Sequence, residues 1–149
     1  MSSNENVDWN KPIPGVEVNM DDLEDNDLGG FTLNGELFSG IAVAYYPDGQ
    51  LEMRKPCLNS LPHGLCQWWY RDGQLKQETM VYRGAGHGAE TRWYPSGKLA
   101  KTMYAEFGQP LEWTEYDEEG RETAKGSNRE SSHAIKWIER NRKLFPDAP

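Results

Sequence analysis

The sequence predicts an all-β fold: an elongated single antiparallel meander sheet of tandem β-hairpin repeats of about 24 residues, capped by a short C-terminal α-helix. Three observations predict it. Turn glycines recur at a fixed interval, an aromatic side chain precedes each such turn in register, and the pattern changes to helical spacing near the end of the chain.

The repeat is read from four segments: Tyr45-Tyr46-Pro47-Asp48-Gly49, Trp69-Tyr70-Arg71-Asp72-Gly73, Trp93-Tyr94-Pro95-Ser96-Gly97 and Tyr116-Asp117-Glu118-Glu119-Gly120. Their closing glycines are 24, 24 and 23 residues apart. A second glycine stands nine residues earlier in three units, at Gly40, Gly64 and Gly88, where the fourth has Leu111. Leu51, Leu75 and Leu99 follow the turn glycine by two residues, and Glu122 holds that place in the fourth unit.

Each unit reads as a hairpin, two strand-forming runs around a glycine-closed turn that calls for positive φ. Ser39-Gly40, His63-Gly64 and His87-Gly88 mark the links between hairpins, so tight and looser turns alternate. Strands alternate faces. One face carries the aromatic column Tyr45, Trp69, Trp93 and Tyr116, which with Leu51, Leu75 and Leu99 is expected to stack into a continuous core. The other face carries Tyr46, Trp68, Tyr70, Arg92, Tyr94, Glu115 and Asp117, with Trp113 in the fourth unit. These aromatic and arginine types dominate binding hot spots. The face is read either as an exposed partner-binding groove or as a surface covered by the terminal segments.

The ends differ from the middle. Residues 1–30 are acidic and read as largely extended or disordered, since they bury too little to order themselves alone. Val16-Glu17-Val18 alternates and offers one short strand to the sheet edge. Residues 31–125 hold the four units. Residues 126–149 are a polar linker and a helix, with Ala134, Ile135, Ile138 and Arg142 at helical spacing, Ser131 or Ser132 as cap and Pro146 as stop. This helix is expected to cover the last hairpin's edge.

The run Trp69-Tyr70-Arg71-Asp72-Gly73-Gln74-Leu75, followed by Tyr82-Arg83-Gly84-Ala85-Gly86-His87-Gly88, resembles the MORN-repeat variant of bacterial YwqK-type antitoxin proteins. The resemblance spans about residues 31–125 and weakens in the fourth unit, at Leu111 and Glu122, which suggests a capping unit. It implies successive antiparallel hairpins and a binding role, often as the partner of a toxin.

Composition narrows the function. Only 36% of residues are hydrophobic and mean hydropathy is −0.86, yet there are 6 Trp, 7 Tyr and 4 Phe. Aromatics bury much area per residue and suit a thin fold. The net charge of −8 disfavours nucleic acid and anionic lipid and favours a basic partner. Residues 1–6 lack the basic start and apolar run of a signal peptide, and no apolar stretch suits a membrane span, so a cytoplasmic protein is expected.

Candidate chemistry is sparse. His63 and His87 share a repeat position but have no third ligand in register, and read as tolerated turn residues rather than a metal site. Cys57 and Cys66 read as reduced, semi-buried thiols. The carboxylates Glu112, Glu115, Asp117, Glu118 and Glu119 read as a solvated binding surface. Gly84-Ala85-Gly86-His87-Gly88 lacks the helix and Lys-Ser or Lys-Thr of a phosphate loop. The chain is therefore expected to be a non-enzymatic protein-binding module without cofactor or metal, most concretely an immunity-type protein that occludes a basic toxin domain. A self-associating scaffold is the alternative.

Overall fold

A computed structural model describes residues 7–27 and 29–149. Residues 1–6, on which the signal-peptide reading rests, lie outside the described residues, as does Leu28 of the acidic segment. The strands in chain order are β1 (Glu17–Asn19), β2 (Glu24–Asp25), β3 (Phe31–Leu33), β4 (Glu36–Leu37), β5 (Gly40–Tyr45), β6 (Leu51–Leu58) and β7 (Leu61–Pro62). They continue as β8 (Gly64–Trp69), β9 (Leu75–Tyr82), β10 (Ala85–Trp93), β11 (Leu99–Glu106), β12 (Gln109–Tyr116) and β13 (Glu122–Ser127), before helix α1 (Ser132–Leu144).

The chain is mostly β, and ten strands form one meander in the order β1-β5-β6-β8-β9-β10-β11-β12-β13, with β7 also on β6. All pairs from β5 onward are antiparallel. Two features go beyond the predicted single antiparallel sheet. The strand foreseen around Val18 joins β5 in parallel, and β2, β3 and β4 form a separate three-stranded sheet.

The hairpin tips follow the predicted rule. In the first, Tyr46 N–H bonds Gln50 O, Gly49 N–H bonds Tyr46 O at φ +88°, and Asp48 Oδ1 accepts from Gln50 N. The two backbone bonds recur from Tyr70, Tyr94 and Asp117, and Asp72 Oδ1 and Ser96 Oγ take the place of Asp48 in the second and third tips.

The links are not looser. They are two-residue turns with positive φ at both positions: Asn59-Ser60 (47°, 77°), Arg83-Gly84 (52°, 80°) and Phe107-Gly108 (48°, 79°). This is the mirror-image turn geometry that matches strand twist. Gly64 and Gly88 sit within or at the start of strands, at φ +110° and +118°, and around Gly88 the β9–β10 register breaks as in a bulge. The spacing was legible, but which glycine closes a turn and which bends a strand was not.

The core also lies elsewhere than predicted. Tyr45 is 46% exposed, and Trp69, Trp93, Tyr116 and the three leucines are only half-buried, because no second layer faces them. Burial concentrates where terminal segments lean on the sheet. At the link-turn ends, Trp9, Leu58, Tyr82, Phe107 and Ala148 pack with Ile13, Leu61 and Phe145. Around β5 and β6, Phe38, Ala42 and Cys57 pack with Val18, Met20, Leu23, Phe31 and Leu33. The acidic segment thus orders by lending its few apolar side chains to the sheet, rather than by itself.

Helix α1 starts on Ser131, whose side chain accepts from Ala134 N–H. It docks on the link-turn ends: Trp137 Nε1–H donates to Phe107 O, Arg142 pairs with Glu106, and Ala134 is buried. The β13 edge was expected to be covered by this helix. Instead β13 ends the strand order, with no strand of the described residues on its outer side.

Candidate partner-binding surface

Cross-strand register places three of the predicted residues in one lateral row, Met53–Trp68–Gln77–Arg92–Lys101–Glu115. The next row on that face runs Cys66–Thr79–Glu90–Met103–Trp113–Gly126. Val18, Met20 and Leu23 of the N-terminal segment pack on this face around Ala42 and Cys57. From β10 to β13 it borders an open cleft of about 660 Å³ lined by Glu90, Met103, Trp113 and Gly126 among others.

Much of the row's chemistry is already engaged. Buried Glu90 accepts from Arg92 Nε at 2.7 Å and from the Thr79 hydroxyl at 3.3 Å. Lys101 Nζ lies 3.1 Å from Glu115 Oε1, and Lys55 lies 5.5 Å over the Trp68 ring. The Trp113 indole lies against Gly126, where a Cβ would overlap it. Glu90, Gln77 and Lys101 were missed by the sequence reading. Only their pairing across strands reveals them, and register is not printed in a single repeat.

The tyrosine hydroxyls are engaged within the chain. Tyr46 OH donates to Trp69 O at 2.8 Å, Tyr70 OH to Trp93 O at 2.7 Å and Tyr94 OH to Tyr116 O at 2.8 Å. Each spans the intervening strand and ties one unit to the next. Burial raises the Tyr70 pKa, keeping the phenol a donor. The fourth unit has no successor, and its equivalent, Asp117, caps its own turn: it accepts from Arg121 N–H and Glu119 N–H and pairs with Arg121. Those bonds hold the Asp117 carboxyl below its ordinary range.

The histidines are more than tolerated turn residues. His63 Nδ1 accepts from Arg83 N–H at 3.2 Å and His87 Nδ1 from Phe107 N–H at 3.0 Å. Ser39 Oγ does the same for Asn59 N–H at 2.8 Å. In all three the partners are 20 residues apart, and the acceptor fixes the first residue of a link turn. With Nδ1 accepting, Nε2 carries the proton, and it donates to Trp9 O in His63 and to Pro149 O in His87. Among the described residues no group of three or more His, Cys, Asp or Glu is placed to hold a metal ion.

Cys57 and Cys66 are buried and unbridged. Burial pushes their thiols up to about 12 and about 11, with the neighbouring Cys66 adding to the effect on Cys57. Neither suits nucleophilic chemistry.

Charge is divided along the chain. Residues 12–53 carry nine acidic side chains and no Lys or Arg, whereas residues 54–149 carry 13 acidic and 15 basic ones. Every salt bridge among the described residues joins groups within residues 90–142. Glu17, Asp21, Asp22, Glu24, Asp25 and Asp27 are all exposed and form none. The negative field therefore arises at the β1–β2 end, not on the aromatic row.

Residues 62–82 and 86–106 each match the MORN repeat variant family, a non-catalytic repeat module that generally mediates binding to proteins or membranes. No curated protein and no solved structure matches the chain. No helix of the described residues is long and apolar enough to cross a membrane.

Proposed function

We propose that this chain is a protein-binding repeat module whose partner is basic and is met first by the acidic end. The observation that carries this reading is the set of six exposed carboxylates from Glu17 to Asp27, none of them in a salt bridge among the described residues. Unpaired charge of one sign steers an oppositely charged partner and loses little internal bonding when it is engaged. The open row of Trp68, Arg92, Glu115 and Trp113 is the second contact in this reading. Its rings offer area, while its ion pairs would exchange partners. Tyr46, Tyr70, Tyr94 and Asp117 support the surface rather than touch the partner.

In its most concrete form the module is an immunity-type protein that occludes a basic toxin domain in the cytoplasm. The reduced state there suits two buried, unbridged thiols. Co-expression with the product of a neighbouring gene tests it. A stable complex and rescue of growth are expected. Failure of both rejects the immunity reading.

A second reading is favoured by one observation, that no strand of the described residues lies on the outer side of β13. An open strand edge is a template for pairing with another copy. Sedimentation across a wide concentration range distinguishes it, since a strict monomer at high concentration removes it.

A further inference from the structure

Where the segment around Trp9 meets the end of α1, two cavities of about 570 and 230 Å³ share Arg83 and Phe145. The Arg83 guanidinium carbon lies 4.6 Å from the Trp9 ring centre and 3.9 Å from that of Phe145, clasped by both terminal segments. Its Nε is buried without a hydrogen-bond partner, and no carboxylate among the described residues lies within salt-bridge distance.

Turn geometry does not account for an arginine here. The position has φ +52°, a conformation that favours Asn or Gly, and the equivalent residues are Asn59 and Phe107. Its backbone is pinned by His63, so the side chain is launched from a fixed point. Burial also lowers the Arg83 pKa, opposed only by Tyr82, as befits a cation without a counter-charge. A partly desolvated guanidinium, its Nε shielded and unpartnered, is matched by a planar carboxylate.

We propose that this cleft binds a monocarboxylate with an apolar or aromatic body, its carboxylate on Arg83 and its body against Trp9 and Phe145. Asp8 and Asp147 line the larger cavity. Their charges repel a phosphate dianion more than a single carboxylate. The acid is either a free small molecule or the chain end of a peptide.

Titration of the ¹⁵N-labelled full chain tests this. Phenylacetate represents the free acid and N-acetylphenylalanine a peptide end, with phenylacetamide, N-acetylphenylalaninamide and phenyl phosphate as controls. The Arg83 Nε–H and Trp9 indole resonances are followed. At least one acid is expected to shift both saturably, with its amide weaker by at least about tenfold. Preference between the acids identifies the source. R83K, checked for folding by its melting curve and followed at Trp9, should lose at least about tenfold in affinity. Should R83K not fold, the acid–amide comparison on the unaltered chain decides. Amides binding as tightly as acids, no saturable shift with either acid, or tighter binding of phenyl phosphate would overturn the proposal.

Discussion

The His87 ring is held between two backbone groups: Nε2–H donates to Pro149 O at 2.6 Å while Nδ1 accepts from Phe107 N–H. A residue in the repeat thus anchors both the next link turn and the last segment of the chain. His63 repeats the arrangement with Arg83 and Trp9, so the two histidines fasten the two terminal segments to the same end of the sheet.

Replacing His87 by Ala leaves the Phe107 N–H without its acceptor at a buried position. A loss of about 1–3 kcal/mol is expected from that orphaned group. Urea unfolding measures it, and a change within about 0.5 kcal/mol, the range of ordinary surface substitutions, would contradict the clamp.

His63 makes stability depend on pH. Burial lowers its folded pKa below the ordinary 6.5, with the nearby Arg83 charge adding and the Trp9 carbonyl opposing. The unfolded chain therefore binds the proton first as pH falls, and stability drops on going below about 6.5. Above that pH both states are neutral at this residue and its contribution is flat. In H63Q the drop between pH 7.5 and 5.5 should be smaller than in the unaltered chain; an equal drop would place the effect elsewhere.

The tyrosine bonds predict a graded series. Tyr70→Phe and Tyr94→Phe each remove one inter-unit donor, at about 0.5–1.5 kcal/mol. Tyr46→Phe does the same for the first pair of units. Calorimetric melting of the three variants checks it, with no loss in any of them being the contrary result.

Gly126→Ala places a methyl group in the Trp113 ring. The ring must move, at a cost of about 1–3 kcal/mol, and its indole resonance should shift more than those of the other five tryptophans.

The hairpin repeat was legible because each tip demands a glycine with positive φ, and four demands at nearly equal spacing leave a visible period. The fourth unit's departure from the pattern was legible at Leu111 and Glu122, but the exchange of a tyrosine for Asp117, which caps its own turn, was not singled out. The core was not. Two-faced aromatic strands look alike in sequence, and what buries one stretch is Trp9, Phe145 and Ala148, far away along the chain. The site residues were sorted only in part. A tyrosine in an aromatic column signals contact area, but whether its hydroxyl meets a partner or the next unit depends on strand order. The parallel placement of β1 likewise follows from where Val18 finds apolar neighbours, not from any local signal.

The repeat's two histidines spend both ring nitrogens within the chain, on the link turns and on the terminal segments. The most direct measurement is a long-range ¹H–¹⁵N spectrum of the imidazole rings at pH 7.5. His63 and His87 should both show a protonated Nε2 and an unprotonated, hydrogen-bonded Nδ1. Rings protonated at Nδ1, or averaging freely between the two forms, would show that the terminal segments are not clamped and that these side chains are free to meet a partner.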